Sequence, residues 1–494
     1  MSPGMTLKNS TGSSEQTAPG NPGNPGLTLT GRRIHFVGIG GCGMSGLAHI
    51  AQRAGALCTG SDLSPSPAID ALRAAEIPVV LEQTAASVPT QCDLLVISAA
   101  IKADHPEVVE AQKRGLEILK YAQMLGRLMI GRRGIAIAGT HGKSSTTSML
   151  SHVLIDSGFD PSFIVGANCT QIGGGSRTGR SDLLVAEACE FDRSFHNFFP
   201  THAAILNVEE DHMEVYGSID KIVEAFAHFA HLLPDNGSLL INHEMSHRIA
   251  ITAGLNCLTQ TIGFAPQADW CVQVGSSSDV TAHVGAASTT PVTLLHQGKP
   301  VANWVCPMPG EHMAYNSAVA AVLAHRVGVP WDAIAKALGS FTGLDRRMQL
   351  LGVRHVNGGV VTVVDDYGHH PTEVETTLRA LRRHYNPNRL ICVFQPHQHS
   401  RTRFLLEQFA TSFTHADIVV VPHIYFSRDS EEERRAVQAA DLVDRLRQRK
   451  VQAMHLYPFG AIIEQLQLIG KPGDLIVTMG AGDVWKVAQG ILQS

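Results

Sequence analysis

The chain has 494 residues, of which 44% are hydrophobic and 17% are charged. At about 150 residues per domain, this length predicts about three domains with buried cores and excludes a small scaffold held together by disulfides. The 39 Lys and Arg residues nearly balance the 44 Asp and Glu residues, for a net charge of -5, so no basic surface favours nucleic acid as a partner. Nine cysteines without a C-x-x-C pair predict neither a disulfide framework nor a zinc finger, and we expect a reducing, cytoplasmic location.

Residues 1–30 are rich in Gly, Pro, Ser, Thr and Asn and contain no apolar run that could be buried. This composition predicts a disordered tail. A signal peptide needs an apolar core of about 7 to 15 residues and a membrane span needs about 20, and the chain contains neither pattern. We therefore expect no membrane partner.

A first α/β unit, which we place at residues 31–131, opens as strand, glycine turn and helix. The turn has the pattern G-x-G-x-x-G and is formed by Gly38, Gly40 and Gly43. Asp62 ends the next strand, 24 residues after Gly38. Such glycines let the backbone approach a diphosphate at a helix N-terminus, and either Asp62 or Ser61 could accept a hydrogen bond from a ribose hydroxyl. The pattern predicts a nucleotide diphosphate site without saying which nucleotide binds.

A second α/β unit, which we place at residues 132–343, opens with the apolar strand GIAIAGT and a second glycine turn. This turn consists of Gly139, Thr140, His141, Gly142, Lys143, Ser144 and Ser145. In a phosphate-binding loop of this kind, Lys143 neutralises the charge of the β- and γ-phosphates and Ser144 offers a hydroxyl to Mg²⁺. The turn departs from the general P-loop pattern, because Ile137 stands where the first Gly is expected.

The next two strands of this unit end in acidic residues. The first acidic strand end contains Glu187, Glu190 and Asp192, and the second contains Glu209, Glu210, Asp211 and His212. Magnesium prefers hard oxygen ligands. Two acidic strand ends that follow a phosphate loop therefore predict a metal site.

The third α/β unit, residues 344–494, has two polar turns after apolar strands, DDYGHHP at 365–371 and QPHQHSRTR at 395–403. Ligands of open α/β sheets bind at such strand ends. Arg401 could clamp a carboxylate with two hydrogen bonds, and a histidine could contact a phosphoryl oxygen. If the strand persists, His369 and His370 point to opposite faces, so we expect at least one of them to be structural.

Nine motifs occur along the chain in the order GIGGCGMSGLAHIAQRAG, GSD, GTHGKSSTTSML, AEACEFDRSF, NVEEDHMEVYG, PGEHMAYNSAVAA, GLDRRMQ, DDYGHHPTEV and FQPHQHSRT. Together they resemble the Mur ligases of peptidoglycan precursor synthesis, from about residue 34 to the C-terminus. The resemblance implies an α/β fold with three domains. These are a Rossmann-like N-terminal domain for a UDP-sugar, a central P-loop ATPase-like domain with extra β strands, and a Rossmann-like C-terminal domain that closes over the amino acid and ATP.

The resemblance also implies the reaction and its participants. The expected substrates are UDP-N-acetylmuramate, L-alanine and ATP, and the expected metal is Mg²⁺, or Mn²⁺ in its place. The amino acid is joined to the muramoyl carboxylate through an acyl phosphate. We expect a monomer or a weak homodimer.

The site residues implied by the resemblance are assigned position by position. The UDP-sugar site comprises Gly38, Gly40, Gly41, Gly43, Met44, Ser45, Ser61, Asp62 and Ser98. The ATP site comprises residues 139–145 with Asn316, Arg347 and Asp366. The metal ligands are Ser144, Glu187 and His212, the amino-acid end is lined by Tyr367, His397 and Arg401, and the catalytic residues are Lys143, His369 and Arg401. Gln398 stands where many relatives have Arg, which leaves Arg401 as the better carboxylate clamp.

Three other functions compete with this interpretation. A related ligase would join a preformed tripeptide, instead of alanine, to the same UDP-sugar. An NAD-dependent dehydrogenase would explain the first glycine turn but would leave GTHGKSS and both acidic strand ends unexplained. A non-catalytic nucleotide sensor would release no phosphate in response to an amino acid.

Overall fold

The computed structural model describes residues 28–275 and 289–493. The tail predicted at residues 1–30 thus lies almost entirely outside the described residues. The stretch from DWCVQVG to NWVCPMPG, residues 269–310, predicts a β-rich insertion, and its middle part also lies outside the described residues. Within the described ranges, no helix has both the length and the apolar character needed to cross a bilayer.

The first sheet has five parallel strands in the order β3-β2-β1-β4-β5. The strands are β1 (Arg33–Val37), β2 (Leu57–Ser61), β3 (Val79–Val80), β4 (Leu94–Ile97) and β5 (Glu117–Lys120). The helices of this region are α1 (Cys42–Arg53), α2 (Pro67–Ala74), α3 (Pro106–Lys113) and α4 (Tyr121–Met129). This strand order is that of a Rossmann fold, in which the order of the strands reverses beside β1 and a crevice opens at the carboxyl end of that strand.

The second sheet has ten strands in the order β15-β14-β13-β12-β11-β10-β6-β9-β7-β8. The strands are β6 (Arg133–Ala138), β7 (Ser162–Ile164), β8 (Ser176–Arg177), β9 (Leu183–Ala188), β10 (His202–Ile205), β11 (Ser238–Asn242), β12 (Leu258–Gly263), β13 (Trp270–Val274), β14 (Thr290–His296) and β15 (Lys299–Cys306). Strands β14 and β15 add an antiparallel extension to a largely parallel sheet. The helices are α5 (Lys143–Asp156), α6 (Met213–Tyr216), α7 (Ile219–Ala230), α8 (Arg248–Thr252), α9 (Glu311–Arg326) and α10 (Trp331–Gly339).

The third sheet has six strands in the order β16-β17-β21-β18-β19-β20, all parallel except β16. The strands are β16 (Gln349–Val356), β17 (Gly359–Asp366), β18 (Leu390–Phe394), β19 (Ile418–Val421), β20 (Gln452–His455) and β21 (Leu475–Met479). The helices are α11 (Pro371–Tyr385), α12 (His399–Phe404), α13 (Leu406–Thr411), α14 (Glu431–Ala436), α15 (Ala439–Gln448), α16 (Phe459–Ile469) and α17 (Trp485–Gln493). The apolar spacing of RFLLEQFATSF, residues 403–413, predicts a single helix. This prediction is wrong, because the backbone leaves helical geometry at Leu405, with φ −103°.

Three α/β units with extra strands in the central one are therefore confirmed, whereas the boundaries 31–131, 132–343 and 344–494 stay predictions. Buried apolar residues form continuous clusters across both junctions. One cluster joins Ile34 of the first sheet to Ala136 of the second, and another joins Ile135 of the second sheet to Val364 of the third. The ligand-binding edges of the three sheets are thus held in one packed body.

A buried polar network lies beneath the first glycine turn. Its centre is Glu107, whose side chain is fully buried in the first turn of α3. One carboxylate oxygen lies 2.9 Å from Nε2 of His35, and the other accepts a hydrogen bond from Ser61 Oγ at 2.7 Å. The second ring nitrogen of His35 lies 2.8 Å from Thr59 Oγ1. The side chains of His35, Ser61 and Glu107 are buried, so their polar atoms depend on one another for hydrogen bonds.

Replacing Glu107 with alanine is expected to lower the free energy of unfolding by about 3 kcal/mol, because His35 and Ser61 would lose their buried partner. Urea denaturation followed by circular dichroism measures the change. Lys113→Ala, at the exposed end of the same helix, is the matched control and should change stability by less than about 0.5 kcal/mol. Equal effects of the two substitutions would show that the network does not stabilise the domain.

Candidate active site

The first glycine turn follows β1 between β2 and β4. Gly38 has φ +76°, and the Gly40 N–H donates to Asp62 Oδ2 at 2.8 Å. A Cβ on Gly40 would lie 2.9 Å from that same oxygen, so only glycine fits this approach. Asp62 thus holds the turn in shape. The Ser61 hydroxyl is fully buried and donates to Glu107, which corrects the expectation that this side chain accepts from a ribose.

The other residues predicted for the UDP-sugar surround the same turn; they are Gly41, Gly43, Met44, Ser45 and Ser98. Ser98 follows β4, and its Oγ lies 3.0 Å from where a Cβ of Gly38 would stand. Gly43 packs so closely on the Tyr121 ring that a Cβ would lie 2.7 Å from it. The Met44 side chain belongs to the apolar core, which leaves its backbone as the part that can face a ligand.

The second glycine turn connects β6 to α5 and winds against the end of β10. The His141 N–H donates to Asn207 Oδ1 at 2.7 Å, and Asn207 Nδ2 donates back to the His141 carbonyl at 3.1 Å. Gly139 and Gly142 have φ +144° and +83°, in the region that favours glycine. A Cβ on Gly142 would lie 2.8 Å from Asn316 Oδ1. Asn207 and Asn316, which are distant from the turn in the sequence, therefore help to fix its conformation.

Lys143 opens α5 and folds back over the turn. Its Nζ donates to the carbonyls of Gly139 at 2.5 Å and Thr140 at 3.1 Å, and to Glu190 Oε2 at 2.8 Å. Burial opposes its charge, but the neighbouring Glu190 raises the pKa of Lys143, so the side chain stays an ammonium ion. The lysine predicted to bind phosphate is therefore paired with a carboxylate in this conformation. An incoming phosphate would replace Glu190 as its partner.

The predicted metal ligands line one cavity of about 670 Å³. Ser144 Oγ donates to Glu187 Oε2 at 2.9 Å, and the Gly166 N–H donates to the same oxygen at 2.8 Å. His212 lines the same cavity, with Nδ1 3.4 Å from Glu214 Oε1. A hydroxyl and a carboxylate in contact beside a phosphate loop are hard oxygen donors that fit Mg²⁺.

A second cavity of about 260 Å³ lies on the other side of the turn. It is lined by the predicted nucleotide residues Ser145, Asn316, Arg347 and Asp366. Burial raises the pKa of Asp366 to about 6, and its two oxygens accept hydrogen bonds from the Met348 and Gly368 N–H groups. Phe264 and Tyr315 also line the cavity, with ring centroids 6.1 Å apart. Sequence reasoning missed both aromatic residues, which offer apolar faces to a nucleobase.

The DDYGHHP turn brings Tyr367 and His369 to the larger cavity, opposite the glycine turn. Burial lowers the pKa of His369 to about 3, so its ring is neutral, with Nδ1 3.2 Å from the Tyr367 carbonyl. The strand ends at Asp366, so strand alternation does not govern the two histidines. His370 instead caps α11, and its Nε2 lies 3.1 Å from the Glu210 carbonyl of the central unit.

Arg401, the predicted carboxylate clamp, is paired with the central unit. Its Nε donates to Asp211 Oδ1 at 2.9 Å, and its Nη1 lies 3.3 Å from His397 Nδ1. Burial would raise the pKa of Asp211, but the charge of the neighbouring Arg401 lowers it, so the pair is ionic. A side-on clamp uses Nε and Nη2, so an amino-acid carboxylate would have to take the place of Asp211.

Models of Mur ligase domains match three successive parts of the chain. The "Mur ligase family, catalytic domain" matches residues 33–133, the "Mur ligase middle domain" residues 137–324 and the "Mur ligase, glutamate ligase domain" residues 346–482.

Curated relatives and solved structures align with nearly the whole chain. A UDP-N-acetylmuramate–L-alanine ligase of Caldanaerobacter subterraneus is 37% identical over 94% of this chain and 97% of its own length. One of Lachnospira eligens is 38% identical over 93% and 98%. The crystal structure of the Thermotoga maritima UDP-N-acetylmuramate–alanine ligase superposes with a TM-score of 0.72 at 23% identity, covering 93% of this chain and 98% of that one. The murein peptide ligase of Psychrobacter arcticus gives 0.64 at 25% identity, covering 94% and 98%. The order of the domain matches and the identity over nearly full length together show that the chain belongs to the Mur ligase family.

Proposed function

We propose that this Mur ligase joins L-alanine to the carboxylate of UDP-N-acetylmuramate and converts ATP to ADP and phosphate as it does so. The relatives above carry the name of this activity. The observation that carries the proposal is the cavity of about 670 Å³, which Lys143, Ser144 and Glu187 line from one side and Tyr367 and His369 from the other. A phosphate loop thereby faces Tyr367, which is predicted for the amino-acid end, and His369, which is predicted to be catalytic.

The reaction needs ATP because a carboxylate is too poor an electrophile to accept an amine at neutral pH. A muramoyl carboxylate oxygen attacks the γ-phosphorus, so that an O–P bond forms and the bond to ADP breaks. The alanine nitrogen then attacks the acyl carbon, a C–N bond forms, and phosphate leaves with the original carboxylate oxygen. One proton is released from the amine.

The residues of the chain would divide this work between them. Ser144, Glu187 and His212 would hold Mg²⁺, which when bound neutralises phosphate charge. Lys143 would exchange Glu190 for a phosphate oxygen and hold its charge in place. Neutral His369 has one N–H, on the Nδ1 that faces the Tyr367 carbonyl, so it would have to leave that carbonyl to donate a hydrogen bond to the transferred group. Docking of the C-terminal unit on the central one would exclude water, which hydrolyses an acyl phosphate.

We also propose a cytoplasmic location, as a site where ATP is abundant and thiols stay reduced. The eight cysteines whose side chains the structure describes are all free, which fits such a compartment. The prediction of a monomer or weak homodimer stays untested.

Phosphate release, measured with each reactant omitted in turn, tests the proposed function. We expect release and amide formation only when ATP, Mg²⁺, UDP-N-acetylmuramate and L-alanine are all present. A tripeptide in place of alanine tests the related ligase, since preferential use of the tripeptide would assign the chain to that activity. Phosphate release that is indifferent to the amino acid, or stoichiometric NADH binding, would contradict the proposal.

A further inference from the structure

Glu373 is the third residue of α11, and the two oxygens of its carboxylate have different partners. One oxygen accepts hydrogen bonds from the His369 and His370 N–H groups, at 2.9 and 3.3 Å, and closes a capping box with His370. Glutamine serves this capping role as well as glutamate. Capping therefore does not account for a buried negative charge at this position.

The other oxygen of Glu373 faces outside its own helix. It lies 3.4 Å from Nδ1 of His141 in the second glycine turn and 3.3 Å from Nη1 of Arg347. One carboxylate of the C-terminal unit thus touches the phosphate loop and an arginine that lines both cavities. Arg347 belongs to the same unit as Glu373, whereas the contact with His141 crosses to the central unit and exists only while the two units are docked.

The charged and titratable groups around His141 determine its protonation state. Glu209 Oε2 lies 3.5 Å from Nε2, Glu373 lies against Nδ1, and the His370 ring centroid is 4.6 Å away. Burial would lower the pKa of His141, but the two carboxylates raise it to about 10, whereas burial lowers the pKa of His370. His141 is therefore a cation between two anions, and its pairing persists below about pH 10 and is lost as pH rises through that value.

These three side chains could also be viewed as a metal site, since His141, Glu209 and His370 offer ligand atoms within 4.8 Å of one another. Both ring nitrogens of His141 already face carboxylates, with Glu209 at 3.5 Å and Glu373 at 3.4 Å. We therefore interpret the cluster as ion pairs between the two units.

Two further contacts join the C-terminal unit to the central unit near His141. Thr372 Oγ1 donates to Glu209 Oε2 at 2.5 Å, and His370 Nε2 meets the Glu210 carbonyl at 3.1 Å. Both contacts join the first turn of α11 to the loop after β10. Asn207 of that loop holds the His141 backbone on both sides. The start of α11 therefore contacts the glycine turn directly through Glu373, and it contacts the same turn indirectly through this loop.

We propose that Glu373 is a positioning residue whose carboxylate, on docking of the C-terminal unit, fixes His141 and Arg347 and so sets the glycine turn in its nucleotide-binding form. This inference rests on the proposed function in placing ATP at that turn. It assigns to the Glu373 side chain, which is not among the residues proposed to touch substrate, the link between docking of the C-terminal unit and ATP use.

A double-mutant cycle tests the link, using Glu373→Gln and His141→Asn, each of which keeps hydrogen-bonding groups and removes a charge. We expect Glu373→Gln to lower kcat/KM for ATP about 30-fold in the wild-type background and about threefold or less in the His141→Asn background. KM for UDP-N-acetylmuramate should stay within about twofold, because the first glycine turn lies in another sheet. Glu375→Gln, two residues along the same helix and paired with Arg379 and His415, is the matched control and should match wild type.

Small-angle X-ray scattering of the full chain supplies a readout besides activity. With ATP and UDP-N-acetylmuramate added, wild type should become more compact than Glu373→Gln at equal melting temperature. Independent, multiplying effects in the cycle, or wild-type kinetics for Glu373→Gln, would overturn the inference. If wild-type protein itself showed no substrate-dependent phosphate release, the proposed function would fail instead.

Discussion

Lys143→Ala is expected to lower kcat about 10³-fold or more while leaving UDP-sugar binding unchanged. The Lys143 ammonium folds back over the glycine turn, with Nζ 2.5 Å from the Gly139 carbonyl. Its removal takes away charge that the transferred phosphoryl group needs, and leaves Glu190 to repel that group. Steady-state phosphate release measures turnover, and calorimetric titration measures UDP-N-acetylmuramate binding.

The matched control for this substitution is Lys221→Ala, which removes an exposed lysine paired with Glu224 at 2.6 Å. Its turnover should equal that of wild type. Near-normal ligation by Lys143→Ala would remove the glycine turn from the reaction. Loss of UDP-sugar binding along with turnover would show that the two glycine turns do not serve separate ligands.

Arg401→Ala is expected to lower kcat/KM for L-alanine about 100-fold, chiefly through a higher KM. The substitution removes the proposed carboxylate clamp and leaves Asp211 buried without its ionic partner. Asp211→Asn separates these two effects, because it breaks the pair between the units but keeps the guanidinium free for alanine. We expect that variant to lower kcat with a smaller change in KM for alanine.

The matched control for Arg401 is Arg403→Ala, since Arg403 is largely exposed and pairs with Glu433 at 3.4 Å. It should leave alanine kinetics unchanged. If Arg401→Ala changed only the kinetics of ATP, the alanine carboxylate would be held elsewhere.

Local sequence patterns predicted the three α/β units because each opens with an apolar strand and, in the first two, with a glycine turn that few other residues could form. The same patterns placed Lys143, Ser144 and Glu187 at neighbouring strand ends, where the structure joins them around one cavity. The division of the predicted helix at Leu405 was missed, since apolar spacing continues through the break.

Contacts between distant segments of the chain were beyond such reasoning. Arg401 and Asp211 are 190 residues apart in the sequence, and Lys143 and Glu190 are 47 residues apart. The pattern of residues within any one segment therefore could not predict these two ion pairs. The expectation that His369 and His370 point to opposite faces assumed that the strand continues to these residues, but it ends at Asp366. A usable signal did exist for Glu373, because a capping residue followed three positions later by Glu marks a helix start and fixes where that carboxylate lies.

The most direct test of the account is the fate of the muramoyl carboxylate oxygen. UDP-N-acetylmuramate labelled with ¹⁸O in that carboxylate, incubated with the enzyme, ATP, Mg²⁺ and L-alanine, should give one ¹⁸O in each phosphate released and one in the amide product. Unlabelled phosphate, with one ¹⁸O in the amide product and the other in water, would contradict activation of the carboxylate by phosphoryl transfer at the Lys143 turn.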